Sequence, residues 1–270
     1  MSPRLPRAAL VTGAARRIGR ALALELAAQG FALAVHCHRS QAEAEALAAE
    51  IAADGGRAVV LAADLSREAE SATLVERAAA ALGPLGVLVN NAAVFEPDDA
   101  ITATRESWDR HLETNLRAPF VLAQEFARLL PGSAEGLIVN MIDHRVWNLT
   151  PHFTSYTLAK AGLWALTQTL ALALAPRIRV NAIGPGPTLP SLRQTPEQFE
   201  RQVASLPLGR GATLEELRGA LRFLIEARAV TGQMLALDGG QHLNWMPAVS
   251  TIPRINVSAA STFNPTIRET

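Results

Sequence analysis

AALVTGAARRIG, residues Ala8–Gly19, decides the fold. A short apolar run, AALVTG (8–13), ends in a turn carrying a glycine. Helical spacing then runs from Arg16 to Gln29 and stops at Gly30. A buried strand that feeds a helix through so short a turn is the opening of a βαβ unit.

The same alternation continues along the chain. FALAVHC (31–37) reads as a buried strand, Gln41–Ala53 as a helix stopped by Gly55 and Gly56, and RAVVLAAD (57–64) as a strand. Arg67–Leu82 reads as helix, GVLVNNA (86–92) as strand, about Ser107–Leu130 as helix and GLIVNMI (136–142) as strand. A helix over Ser155–Leu174, the strand IRVNAI (178–183), a helix over Thr213–Ala227 and the strand QMLALD (233–238) complete the series. Strands that are apolar on both faces and separated by helices predict an α/β fold. The expected form is a Rossmann-type, doubly wound, seven-stranded parallel sheet in one domain, with strand order 3-2-1-4-5-6-7. That domain covers residues 1–243. The Pro-rich stretch 185–212 is expected to be a substrate lid. From Asn244 to Thr270 the patterns stop; this tail, with Trp245, Met246 and Phe263, is expected to be either disordered or laid on a neighbouring subunit.

Composition narrows the function. The chain has 270 residues, 49% hydrophobic and 19% charged, with a formal net charge of zero. That balance argues against nucleic-acid binding and against an anionic membrane as partner. No apolar run is long enough to span a bilayer, and the N-terminal apolar run enters the first turn with no room for a signal peptide. One cysteine, Cys37, excludes an intrachain disulfide and a cysteine-based metal site. His144, His152 and His242 lack metal-ligand spacing; His152 reads as a pocket residue, and Trp147 and Trp164 as packing. A cytoplasmic protein is expected.

The ligand of such a sheet binds at the carboxyl ends of its strands. TGAARRIG (12–19) has glycine only at Gly13 and Gly19, with Arg16, Arg17 and Ile18 where the helix opens. A helix N-terminus there favours phosphate. The second strand ends in HCHRS, with His36, His38, Arg39 and Ser40 and no acid. Arginines and a hydroxyl suit a ribose 2′-phosphate better than a free 2′-hydroxyl, so NADPH is expected over NADH. Asp64, followed by Leu65, and Asn90–Asn91, followed by Ala92, end the third and fourth strands. Asp64 has two readings, an acceptor for the adenine amino group and a cap for the next helix.

The chain has one tyrosine, Tyr156, and one lysine, Lys160, four positions later; every other one of its 25 Lys+Arg residues is arginine. The pair shares a helix face. A fixed cation is expected to lower the tyrosine pKa and make it a usable proton donor. TGAARRIG, NNAA, Tyr156-x-x-x-Lys160 and the Pro185–Gly186 turn together resemble the short-chain dehydrogenase/reductase family over about residues 7–243. The resemblance implies a nicotinamide cofactor and a homodimer or homotetramer. It also implies a catalytic role for Asn115 in TNLRAPF, and cofactor contacts from Asp64, Asn91, Pro185, Gly186 and Thr188. The family's usual catalytic serine is replaced by Asp143, thirteen residues before Tyr156. A carboxylate there opposes a developing oxyanion and suits a substrate with ring nitrogens.

The pteridine reductase branch of the family is similar in TGAARRIGR, in HCHRS, in Asp143 and in Phe95 after NNAAV. It implies that Arg17 contacts pterin and cofactor phosphate and that Phe95 stacks on the pterin; a core or loop anchor is the other reading of Phe95. Ala93 and Val94 depart from that branch, which has a serine just before the phenylalanine. The expected activity is NADPH-dependent reduction of a dihydropterin (dihydromonapterin, dihydrobiopterin or dihydrofolate), with Asp143, Tyr156, Lys160 and Asn115 catalytic. A short-chain carbonyl reductase acting on 3-oxoacyl thioesters and a non-catalytic NADPH-binding regulatory protein are the alternatives.

Overall fold

The computed structural model describes residues 5–191 and 193–243. The strands are β1 (Ala8–Val11), β2 (Ala32–Cys37), β3 (Ala58–Ala62), β4 (Val87–Asn90), β5 (Gly136–Met141), β6 (Ile178–Pro185) and β7 (Met234–Leu237). They form one sheet in the order β3-β2-β1-β4-β5-β6-β7, parallel throughout. The helices are α1 (Arg17–Ala28), α2 (Gln41–Ala53), α3 (Glu68–Leu82), α4 (Arg105–Leu112), α5 (Ala118–Leu129), α6 (Thr154–Ala173), α7 (Pro196–Ala204) and α8 (Leu214–Glu226). Alternate strand residues face opposite layers. Val11, Val35 and Val89 pack with Leu22, Leu47 and Leu221 of α1, α2 and α8. Leu10, Leu88 and Ile138 pack with Leu74, Leu122 and Leu170 of α3, α5 and α6. Each fully buried leucine stabilises by about 2 kcal/mol, and a slip of one residue would exchange the two layers.

Three features differ from the elements expected. The helix expected from Ser107 begins at Arg105, because Thr104 and Ser107 form a capping box. It is also not one regular helix: Glu113–Arg117 is a π-helical turn between α4 and α5, and it carries Asn115. Such turns gather at functional sites. Within the segment 185–212, expected to be a lid, lies α7, which the proline content concealed. Pro196 occupies its first position, after Thr195, whose hydroxyl accepts from Gln198 N. The tail, Asn244–Thr270, lies outside the described residues.

The turn after β1 is built by close packing. Gly13 has φ +62°, and a Cβ there would lie 3.0 Å from Ala92 Cα. Its N–H donates to His36 Nδ1 at 3.0 Å, while His36 Nε2 lies 3.1 Å from Ala63 O. Those two bonds fix the neutral tautomer with the proton on Nε2. Thr12 Oγ1 accepts from Asn91 N and Ala92 N, and Asn91 Nδ2 donates to the carbonyls of Thr12 and Gly13. Gly19 faces this junction from α1; a Cβ would meet Gly13 O at 2.2 Å and Asn91 Nδ2 at 2.5 Å.

Gly19→Ala should therefore destabilise the protein by about 3 kcal/mol, read as a lower denaturant midpoint, and weaken NADPH binding through the displaced turn. A second expectation concerns pH. Burial lowers the His36 pKa from its ordinary value to about 4. The unfolded chain takes up this proton first as pH falls, so the stability contributed by neutral His36 is present above pH ~6.5 and is lost as pH falls toward 4. The loss approaches about 3 kcal/mol. Denaturant midpoints across that range should fall for the wild type and fall less for His36→Gln.

Candidate active site

The carboxyl ends of β1, β2, β3 and β4 open onto a cleft of about 670 Å³. Of the residues expected to hold the cofactor, Gly13, Arg16, His36, His38, Arg39, Ser40, Asp64, Leu65 and Ala92 line it. The first turn of α1 has no acidic residue and no side-chain cap, so its N–H groups are free to meet phosphate. Gly13 N and Ala14 N are committed to His36 Nδ1 and His36 O. Arg17, Ile18 and Gly19 therefore present the open N–H groups. With His38, Arg39 and Ser40 at the β2 end, this donor set fits NADPH.

Several expected contacts have a different position. Asn91 builds the turn from inside, as do Gly19, whose Cα faces Gly13 O, and His36, which lines the cleft as well. Asp64 Oδ1 accepts from Ser66 N and Ser66 Oγ in the turn before α3, which has no side-chain cap, and the residue lines the cleft. Pro185 and Gly186 lie against β7, where a Cβ on Gly186 would come 2.6 Å from Asp238 Cα. Thr188 Oγ1 donates to Gly186 O. These three do not line the cleft.

Tyr156, Asp143 and Lys160 come together between β5 and α6. Tyr156 Oη donates to Asp143 Oδ2 at 2.9 Å. Asp143 Oδ1 accepts from Arg145 N at 2.9 Å, and Oδ2 from Arg145 Nη1 at 3.2 Å. Lys160 Nζ is buried, donates to Met141 O at 2.7 Å and lies 5.9 Å from the Tyr156 ring.

The electrostatics reverse one expectation. Tyr156 is not made more acidic: burial and the Asp143 carboxylate push its pKa well above 10, against an opposing pull from Arg145. Burial also raises Asp143, but His144, the Arg145 charge and the Arg145 N–H outweigh it and hold the carboxyl well below its usual range. Lys160 falls to about 8, because burial outweighs the attraction of Asp143. The site thus holds a firmly protonated phenol on a firmly ionised carboxylate.

Aromatic rings gather beside Tyr156. Phe95 stacks on Phe153 with centroids 4.4 Å apart and planes at 7°, and meets Tyr156 edge-on at 4.8 Å. Phe95 is therefore neither buried core nor alone. Its loop is pinned by Asn115, whose amide accepts from Val94 N and donates to Val94 O, both at 2.8 Å. His111 Nε2 accepts from Glu96 N. Asp98 takes Ser155 N and Ser155 Oγ and so caps α6 in place of Phe153. The segment after β6 is tied to the start of α1, since Arg17 Nη2 donates to Leu189 O and Pro190 O. Arg17 (φ +54°) and Phe153 (φ +60°) are the non-glycine residues with positive φ among those described, and each opens a helix of the site. Such strain persists where ligands are gripped.

Sequence reasoning missed Phe153, Asp98, His111 and Arg145. Phe153, three before Tyr156, could have been flagged as a second aromatic beside the motif; the others had no spacing signal. Trp147 packs edge-on against Trp164, and His242 bonds Asp238. Among the described residues no group of three or more His, Cys, Asp or Glu is placed to hold a metal.

Residues 13–242 match the family model described as enoyl-(acyl carrier protein) reductase. A 3-oxoacyl-[acyl-carrier-protein] reductase of Synechocystis is 34% identical over 236 residues, covering 86% of this chain and 95% of that one. Among solved structures, FolM alternative dihydrofolate reductase 1 from Brucella canis, complexed with NADP, is 51% identical with a TM-score of 0.87, covering 93% of this chain and 98% of that one. Its counterpart from Brucella suis, also with NADP, is 52% identical with a TM-score of 0.86, covering 91% and 96%. With these relatives, its seven-stranded sheet and its Tyr156/Lys160 pair, the chain belongs to the short-chain dehydrogenase/reductase family.

Proposed function

We propose that this enzyme is an NADPH-dependent pteridine reductase that converts a dihydropterin (dihydromonapterin, dihydrobiopterin or dihydrofolate) to its tetrahydro form. The observation that carries the reading is the Tyr156 phenol seated on the Asp143 carboxylate. The similarity to NADP-bound FolM dihydrofolate reductases supports it. Bound NADPH supplies a hydride to the carbon of a ring C=N. Tyr156 gives its proton to the adjacent nitrogen, so that the C=N becomes CH–NH. Asp143 holds the phenol in line and favours its reprotonation. Lys160, whose Nζ spends one of its three donors on Met141 O, would donate another to a ribose hydroxyl. Asn115 fixes the loop bearing Phe95, and Phe95 with Phe153 offers a flat apolar shelf for the heterocycle.

Carbonyl reduction is the second reading, favoured by the 3-oxoacyl reductase relatives. The ionised Asp143 opposes it. The lid reading of 185–212 is supported by the Arg17 bonds to Leu189 and Pro190. An apolar hollow lined by Leu112, Leu116, Phe120 and Leu166 supports a homodimer or homotetramer. The single cysteine supports a cytoplasmic location; among the described residues no helix is long and apolar enough to cross a membrane.

NADPH oxidation should be followed with the three dihydropterins and a 3-oxoacyl thioester in parallel. Pterin turnover is expected, reduced about 10³-fold in Tyr156→Phe with NADPH affinity retained. Asp143→Ser should lose pterin turnover as well. Turnover of the thioester alone, or full pterin activity in Asp143→Ser, would overturn the reading. For the cofactor, Arg39→Ala should weaken NADPH binding about tenfold and leave NADH binding almost unchanged, as measured by titration calorimetry.

A further inference from the structure

Arg145 has no part in the proton and hydride steps above, yet it meets Asp143, Phe95 and Phe153 together. Its backbone N–H and Nη1 donate to the two Asp143 oxygens at 2.9 and 3.2 Å, and Asp143 Oδ2 is the atom that also accepts from Tyr156. Its guanidinium carbon lies 5.2 Å from the ring centroids of both Phe95 and Phe153, within cation–π range. Its Nε is buried and has no hydrogen-bond partner among the described residues. An unmet buried donor is costly, and such a group in a native fold calls for a functional explanation.

The charged and titratable groups facing Asp143 are few. From the β5 end they are His144 and Arg145; from α6 they are Tyr156 and Lys160. His144 Nδ1 lies 3.0 Å from Asp143 Oδ1 but is not aligned as a hydrogen bond. Lys160 Nζ is committed to Met141 O. Arg145 is thus the cation among them with aligned bonds on the carboxylate.

We infer that Arg145 is a positioning residue that holds the Asp143 carboxylate on the Tyr156 phenol and ties this acid pair to the Phe95–Phe153 shelf. The inference rests on the proposed roles of Tyr156 and Asp143 in proton delivery. Loss of the guanidinium leaves burial to act on Asp143 with less opposition, so its carboxyl protonates at higher pH. A protonated Asp143 no longer accepts the phenol proton in the same geometry, and the shelf loses its cation.

Tyr156 is the only tyrosine in the chain, so ¹³C-tyrosine labelling gives one NMR reporter of this contact. The full-length protein should be titrated as wild type, Arg145→Met, Arg145→Lys and His144→Gln. In the wild type the signal should show no carboxyl step between about pH 4 and 6. In Arg145→Met a carboxyl step should enter that window. The same variant should lose kcat for dihydrobiopterin about 10- to 100-fold while its NADPH Kd stays within about twofold. Arg145→Lys keeps the charge but not the planar fork; it should suppress the step and recover most of kcat, with KM still raised. The inference fails if Arg145→Met shows no step and unchanged kcat, or if the step appears in His144→Gln instead. Because the NMR titration needs no substrate, it reads the Arg145 contact even if no pterin is turned over, so the two readings fail separately.

Discussion

A buried carboxylate has to be surrounded by donors, and Asp143 imposes that demand on the carboxyl edge of β5. An ion left unpaired in such a place costs several kcal/mol. The chain answers by bending back into a short 3-10 turn, His144–Val146, so that Arg145 can donate from backbone and side chain together. The third donor, Tyr156, must arrive from α6, which fixes the start of that helix. Phe153 then takes a left-handed backbone, and the helix cap is handed to Asp98 in the loop that carries Phe95. The acid, the stacked rings of Phe95 and Phe153 and the loop bearing Asp98 answer to one electrostatic requirement.

The nucleotide end obeys a steric rule instead. Gly13, Gly19 and Asn91 occupy a space in which one added methyl would collide with backbone. His36 closes the same turn as a neutral double partner, which requires that it stay unprotonated in the fold. The two ends share the strand tips as a common floor. Asn90 Nδ2 donates to Asn140 Oδ1, and Asn140 Nδ2 to Thr167 Oγ1 on α6, so β4, β5 and α6 are joined by buried polar bonds.

The sheet was legible because the strands are apolar on both faces and helical patterns separate them. Gln41–Ala53 matches its expected bounds, and the strand order follows from the right-handed crossover rule. The site was legible where a residue type is rare, as with Tyr156 and Lys160, or displaced, as with Asp143. Features set by three-dimensional closure left no such mark. The π turn at Asn115 is a backbone adjustment inside a helical pattern, and α7 is masked by prolines that open rather than break it. Arg145 is one arginine among many in sequence and becomes distinct only beside Asp143, Phe95 and Phe153. The tyrosine pKa had the wrong expected sign because motif spacing shows the lysine four residues away but not the carboxylate that meets the hydroxyl.

That sign bears on which bond the enzyme reduces. Hydride addition to a ketone builds negative charge on oxygen, and at about 4 Å from a carboxylate this costs about 4 kcal/mol in a partly screened site. Reduction of a C=N can follow the opposite course. The nitrogen takes the proton early, positive charge develops on the ring, and the same carboxylate now stabilises it by a similar amount. A phenol held above its ordinary pKa is a poor match for an oxyanion that needs strong stabilisation, yet it suffices for a basic ring nitrogen. Exchanging a neutral hydroxyl for Asp143 therefore does more than remove one hydrogen-bond donor. It inverts the charge that the site prefers in the transition state, and Arg145 moderates that inversion without cancelling it.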